Sequence, residues 1–174
     1  MGVFGARDCG MPGKLQPVTF RDDARFHHLS TEAEVSRAWE AYNLPASGFV
    51  HVAASQLATL GLEPNKNVKE GMENVYMISA FHSLHCLQSI HKTFARLRAN
   101  ATAAANGTAP QDANHAAHCF DYLRQSLLCA GDMALEGPDS NPEAGESRLR
   151  GWGVEHQCRS WDSLVEWRDS HSVS

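Results

Sequence analysis

Apolar residues recur at helical spacing in two runs, one before and one after a polar, Ala-rich stretch at residues 100–111. The first run predicts a helix from about Glu73 to Arg98. The second predicts a helix from about Asp112 to Ala130, with Gly131 as its C-terminal cap. Upstream, Thr31 and Glu34 form a capping-box pattern ahead of Val35, Ala38, Trp39 and Tyr42, so a shorter helix is expected there, ended by Pro45 and Gly48. GFVHVAA is too short for its period to separate strand from helix. SQLATLGL reads as a helical turn closed by Gly61, and EPNKNVKEG as a loop. A last helix, opened by Ser160, carries Trp161, Leu164, Val165 and Trp167, which read as core packing. Residues 1–29 lack periodicity and read as an irregular arm, leaving residues 30–170 as one domain. The expected fold is mainly α: a small single-domain helical bundle with the two long helices packed together and long loops at 100–111 and 136–151.

Composition narrows the partners. The chain has 174 residues, 43% hydrophobic and 20% charged, which suits one domain with one core. A formal net charge of -5, without any Lys/Arg-rich run, argues against nucleic acid. No stretch approaches the roughly 20 apolar residues of a membrane-spanning helix, and the first residues lack the apolar centre of a signal peptide. Two sequons, Asn100-Ala-Thr102 and Asn106-Gly-Thr108, together with five cysteines, point toward an oxidising lumen.

The chemistry is concentrated in a near-repeat. HSLHCLQSIHKTF begins at His82 and HAAHCFDYLRQSL at His115. They share His, His and Cys at the first, fourth and fifth places, and Leu87, Ile90 and Phe94 align with Phe120, Leu123 and Leu127. At about 100° per residue, His82 and His85 lie about 60° apart on one helix face, as do His115 and His118. Cys86 and Cys119 lie on the other side of the first histidine, toward the apolar stripe. Each pair, at i and i+3, can reach one ion, and the two pairs can converge if the stripes pack together. Neutral imidazoles suit copper, zinc, iron or nickel and not calcium or magnesium. His91, half a turn from His82, is expected to face solvent. His27 and His28 read as solvated arm residues and His51 as half-buried. His156, in HQC ahead of the last helix, is an additional metal-ligand candidate beside a structural reading. Cys86, Cys119, Cys129 and Cys158 read as structural, with thiolate ligation or pairing in disulfides left open. Asp132 reads as a support of the turn after Gly131.

FHSLHCLQSIHKTF, HAAHCFDYLRQSLLCAGDMALEG and HQCRSWDSLVEW resemble the UstYa-like family of fungal secondary-metabolite proteins, over roughly residues 30–168. The resemblance implies an oxidative enzyme of a biosynthetic gene cluster, acting by cyclisation, hydroxylation, desaturation or halogenation on a peptide or small-molecule intermediate. It implies copper as cofactor and O2 as co-substrate, with His82, His85, His115 and His118 as essential metal-binding and catalytic residues. It also implies pairing with a second copy or a homologue. Two alternatives stand beside it: a redox-neutral cyclase whose histidines act as acid and base, and a structural zinc domain. Typical members carry an N-terminal transmembrane helix that this sequence lacks. The expected location is therefore a secretory lumen for an anchored native form, and otherwise the cytoplasm.

Overall fold

The computed structural model describes residues 16–26, 31–42, 48–66, 68–104, 113–138 and 151–171. In chain order these form α1 (Glu32–Ala38), β1 (Phe49–His51), α2 (Ala54–Leu60), β2 (Val75–Ile78), α3 (Ser79–Ala104), α4 (Ala113–Ala130), β3 (Leu135–Glu136) and α5 (Trp161–Ser170). Short 3-10 turns occupy Ala24–Phe26 and Glu40–Tyr42. The fold is mainly helical, with α3 packed on α4 and α1 packed on α3. No described helix is long and apolar enough to cross a membrane.

Local signals place the helix ends. Thr31 accepts from the Glu34 backbone N–H at 3.2 Å, and Glu34 returns the bond to the Thr31 N–H at 2.9 Å, so the capping box forms. Gly61 closes α2 at φ 69°, and Gly131 follows α4 at φ 55°. The helix expected from Glu73 instead starts at Ser79, because Val75–Ile78 is the middle strand of an antiparallel sheet ordered β1–β2–β3. Val50 pairs with Tyr76, and Ile78 pairs with Leu135. β-Branched Val75 and Ile78 around Tyr76 suit a pleat, and a four-residue apolar run has no period to reveal it. At its other end α3 continues to Ala104, so Asn100 and Thr102 are helical instead of lying in a link. The second sequon, Cys9, His27 and His28 lie outside the described residues.

The main core joins Phe26, Val35, Trp39, Leu84, Leu87 and Ala95, with Tyr42, Phe120 and Leu127 against it. His91 belongs to this core and does not face solvent: it is 2% exposed. The inward stripe of α3 is Leu84, Leu87, Gln88, His91 and Ala95, while Ile90 and Leu97 turn outward. Ile90 aligns with Leu123 between the two motifs yet faces outward, so the core face of α3 is rotated from the one on which His91 would meet solvent. The His91 ring stacks on Phe120 with centroids 3.9 Å apart, and its Nδ1 accepts from Trp39 Nε1–H at 3.2 Å. Burial, helped by Arg98, pushes its pKa down to about 4.

The segment expected to be an irregular arm is tied to the domain through residues 16–26. Arg124 of α4 donates to Asp121 Oδ1 through Nε at 3.1 Å and Nη2 at 2.6 Å, and through Nη1 to the Tyr42 hydroxyl. Its guanidinium lies 4.6 Å from the Phe26 ring centroid. The Asp23 N–H donates to Asp121 Oδ2 at 3.0 Å, and Gln125 exchanges two 2.9 Å bonds with the Arg21 backbone. The hydrogen bond from Arg25 holds the Asp23 carboxyl below its usual range. By contrast α5 forms behind its Ser160 cap, yet Trp161 and Trp167 are 73% and 66% exposed, against the expectation of core packing. An amphipathic stripe states which side of a helix is apolar, not that another element covers it.

Two outcomes follow. The native state keeps His91 neutral below the unfolded-chain pKa of 6.5, so stability is complete above that value and declines as pH falls toward 4. Urea unfolding across this window should show a loss on the order of 2–3 kcal/mol that His91→Gln largely abolishes. Arg124→Met leaves the Asp121 carboxylate buried without its partner and should cost about 3–5 kcal/mol in the same assay. Adding Asp121→Asn should recover part of that loss.

Candidate functional site

The site is organised by the six residues that follow α4. After the Gly131 turn, the chain runs to the N-terminus of α3, where the first backbone N–H groups have no acceptor within the helix. The Asp132 carbonyl accepts from Ala80 N at 2.9 Å, and the Ala134 carbonyl from Ser79 N at 2.9 Å. β3 then sets Glu136 beside the first turn of α3. Its carboxylate is 4% exposed, accepts from Ser79 Oγ at 2.5 Å, and accepts from His82 Nδ1. A helix N-terminus favours a negative group there. Gly151, at φ 72°, approaches the carboxylate so closely that an added Cβ would sit 2.9 Å from Oε2.

A second histidine–carboxylate pair stands on the same segment. Asp132 Oδ1 accepts from the Ala134 N–H at 3.0 Å, and Oδ2 accepts from His156 Nδ1 at 2.6 Å. The turn-supporting role expected for Asp132 is thus one of two, and His156 is anchored where HQC meets the end of α4. Both side chains are part-exposed.

The other predicted residues are placed more openly. His85 and Cys86 are exposed on α3, so Cys86 does not point into the apolar stripe, for the same rotation that buries His91. His115 and His118 are exposed on α4 with ring centroids 6.3 Å apart, and His118 lies 6.2 Å from the exposed Tyr122 ring. Cys119 is half-buried, Cys129 and Cys158 are exposed, and these three and Cys86 are free thiols. His51 is exposed, not half-buried.

The two histidine pairs are not brought together. The bonds from Ser79 and Ala80 to residues 132–134 set the start of α3 against the end of α4, so the packed helices run antiparallel. Taking His91 level with Phe120 and a rise of about 1.5 Å per residue, His82 and His115 lie roughly 20 Å apart along the hairpin. His85 and His118 are separated by about 12 Å, whereas donors on one ion lie within about 4 Å of each other. Among the described residues, no three His, Cys, Asp or Glu side chains gather into a metal-holding group.

Sequence reasoning missed Glu136 altogether. Its signal is an acid closing the apolar run Met133-Ala134-Leu135, with Asp132 at the run's other end, just beyond a helix-capping glycine.

Residues 15–171 match the family described as mycotoxin biosynthesis protein UstYa. The chain belongs to the UstYa family. It is 33% identical to oxidase ustYb of Aspergillus flavus over 90% of this chain and 66% of that protein. It is 38% identical to oxidase ustYa of Aspergillus flavus over 56% of this chain and 42% of that protein. It is 29% identical to chlorinase cctP2 of Talaromyces islandicus over 82% of this chain and 43% of that protein. The chain thus spans just under two thirds of the first of these relatives and less than half of the other two. No solved structure matches this UstYa-family chain.

Gly151→Ala tests how tightly the Glu136 end of the site is closed. The left-handed backbone alone costs an L-residue about 1–2 kcal/mol, and the methyl group must displace the carboxylate besides. A loss of at least that size in urea unfolding, with a changed His82 imidazole NMR signal, is expected.

Proposed function

We propose that the chain is a copper-dependent oxidative tailoring enzyme of fungal secondary metabolism, acting on a peptide or small-molecule intermediate with O2 as co-substrate. UstYa-family membership supports the biosynthetic role. The relatives' names, which include oxidase, chlorinase and hydroxylase, support oxidative tailoring without favouring one reaction.

The observation that carries the reading is the contrast between histidines on one helix. His85 on α3 and His115 and His118 on α4 are exposed and His82 is half-buried, while His91 is sealed into the core by Trp39 and Phe120. A single four-histidine centre within one chain does not fit the antiparallel hairpin. Two separate pairs do. Imidazoles on one ion have centroids about 4.5–6 Å apart, so His115 and His118, at 6.3 Å, need only a small side-chain rotation. In this reading His82 and His85 hold one ion and His115 and His118 another, each pair leaving coordination positions for other ligands. Copper held there would supply one-electron chemistry toward O2, and the chain's own part would be to hold and orient the rings.

A redox-neutral cyclase is the second reading, favoured by the two carboxylate-bonded histidines, His82 with Glu136 and His156 with Asp132. A histidine held by a carboxylate at one ring nitrogen can give or take a proton at the other. Chelation and exclusion of O2 would leave that activity intact and would abolish the oxidative one.

Elemental mass spectrometry with copper(II) EPR tests the metal assignment. The wild type should hold two coppers with nitrogen coupling, and His82→Ala and His115→Ala should each lose one. Loss of all copper in either single variant would restore the one-centre arrangement. A folded, active protein that takes up no copper would sink the oxidative reading.

A further inference from the structure

We infer that Glu136 is a positioning residue for His82: it fixes the ring as the Nδ1–H tautomer and presents Nε2 outward to the ligand. The inference rests on the proposed function only in taking His82 to face a ligand.

A carboxylate accepts hydrogen bonds and cannot donate, so the proton shared with Glu136 belongs to His82 Nδ1. In the neutral ring, Nε2 then carries the free lone pair. Neutral imidazole in water prefers the opposite tautomer, so the protein selects the less common form. Three features show that the carboxylate is held in place and is not a mobile surface acid. It is 4% exposed, Ser79 Oγ donates to it at 2.5 Å, and Gly151 closes over it where a side chain has no room. Ser79 is itself buried and opens α3, one turn before His82. Ring orientation is therefore set by the helix start and the β2–β3 pairing together, with Met77 opposite Glu136. His115 has no counterpart: its motif differs in that no hydrogen bond to a carboxylate is found for either histidine among the described residues.

Carboxylate partners of this kind commonly change metal affinity by about 10–100-fold when removed, through ring orientation and basicity. Here His115 and His118 serve as an internal reference, because they lie toward the other end of the hairpin.

The test is 15N-resolved imidazole NMR of the metal-free protein at a pH where the ring is neutral, followed by copper(II) titration by calorimetry. Wild-type His82 should show a protonated Nδ1 and an unprotonated Nε2. Glu136→Met, similar in volume but without an acceptor, should shift the ring toward the Nε2–H form. The same variant should weaken copper(II) binding at the His82 end about 10–100-fold and spare the His115 end. Glu136→Gln keeps an acceptor oxygen and should restore the tautomer in part, which a purely structural role would not predict. A wild-type ring already in the Nε2–H form, or a tautomer unchanged in Glu136→Met, overturns the inference, and the first outcome needs no variant to fold. A correct tautomer in a protein that binds no copper(II) would leave the positioning role standing and remove the metal reading instead.

Discussion

The antiparallel packing of α3 on α4 is the constraint from which the rest of the molecule follows. It is fixed at one level by the His91 ring lying flat on Phe120 and tied to Trp39, and at the helix ends by backbone bonds from Ser79 and Ala80 to residues 132–134. A ring that must stay neutral to remain there is an unusual core residue. Its gain is directional: Trp39 has a buried N–H that needs an acceptor, and an aliphatic side chain would leave it unsatisfied. Register and polar satisfaction thus come from the same atoms. Once the helices are antiparallel, two motifs that each begin a helix must stand at opposite ends of the pair.

The short segment after α4 converts that packing into the placement of two histidine–carboxylate pairs. It caps the exposed amides of α3, forms the edge of the sheet, and carries Asp132 and Glu136 to two histidines far apart in sequence. One backbone course serves helix stability and side-chain placement together. The DYLRQ stretch works differently. Asp121, Arg124 and Gln125 bind the N-terminal residues to α4, so these polar side chains are occupied with holding the fold.

Much of this was legible in the residues, and the failures have physical causes. Thr31 with Glu34, Gly61, Gly131 and Ser160 marked helix ends because capping is a local interaction. The two long helices and their packing were readable from apolar spacing. What spacing could not supply was rotation: Ile90 and His91 are neighbours, and choosing the first for the core sent the second outside. Val75–Ile78 looked like the start of a helix because its strand pairing depends on residues 49–51 and 135–136. The paired histidines stood out as candidates by their repetition, and His156 by its place ahead of the last helix. Their carboxylates did not, since the partner of His82 lies 54 positions away and that of His156 lies 24.

The duplicated motif is consequently expressed in two unlike settings. At one end a ring is already immobilised by a buried carboxylate, while at the other both rings remain on an open helix face. An imidazole that is held beforehand gives up less rotational freedom when it takes a ligand than one that must first be ordered. Two copies of one motif on one chain therefore differ in how far their rings are ordered before anything approaches them.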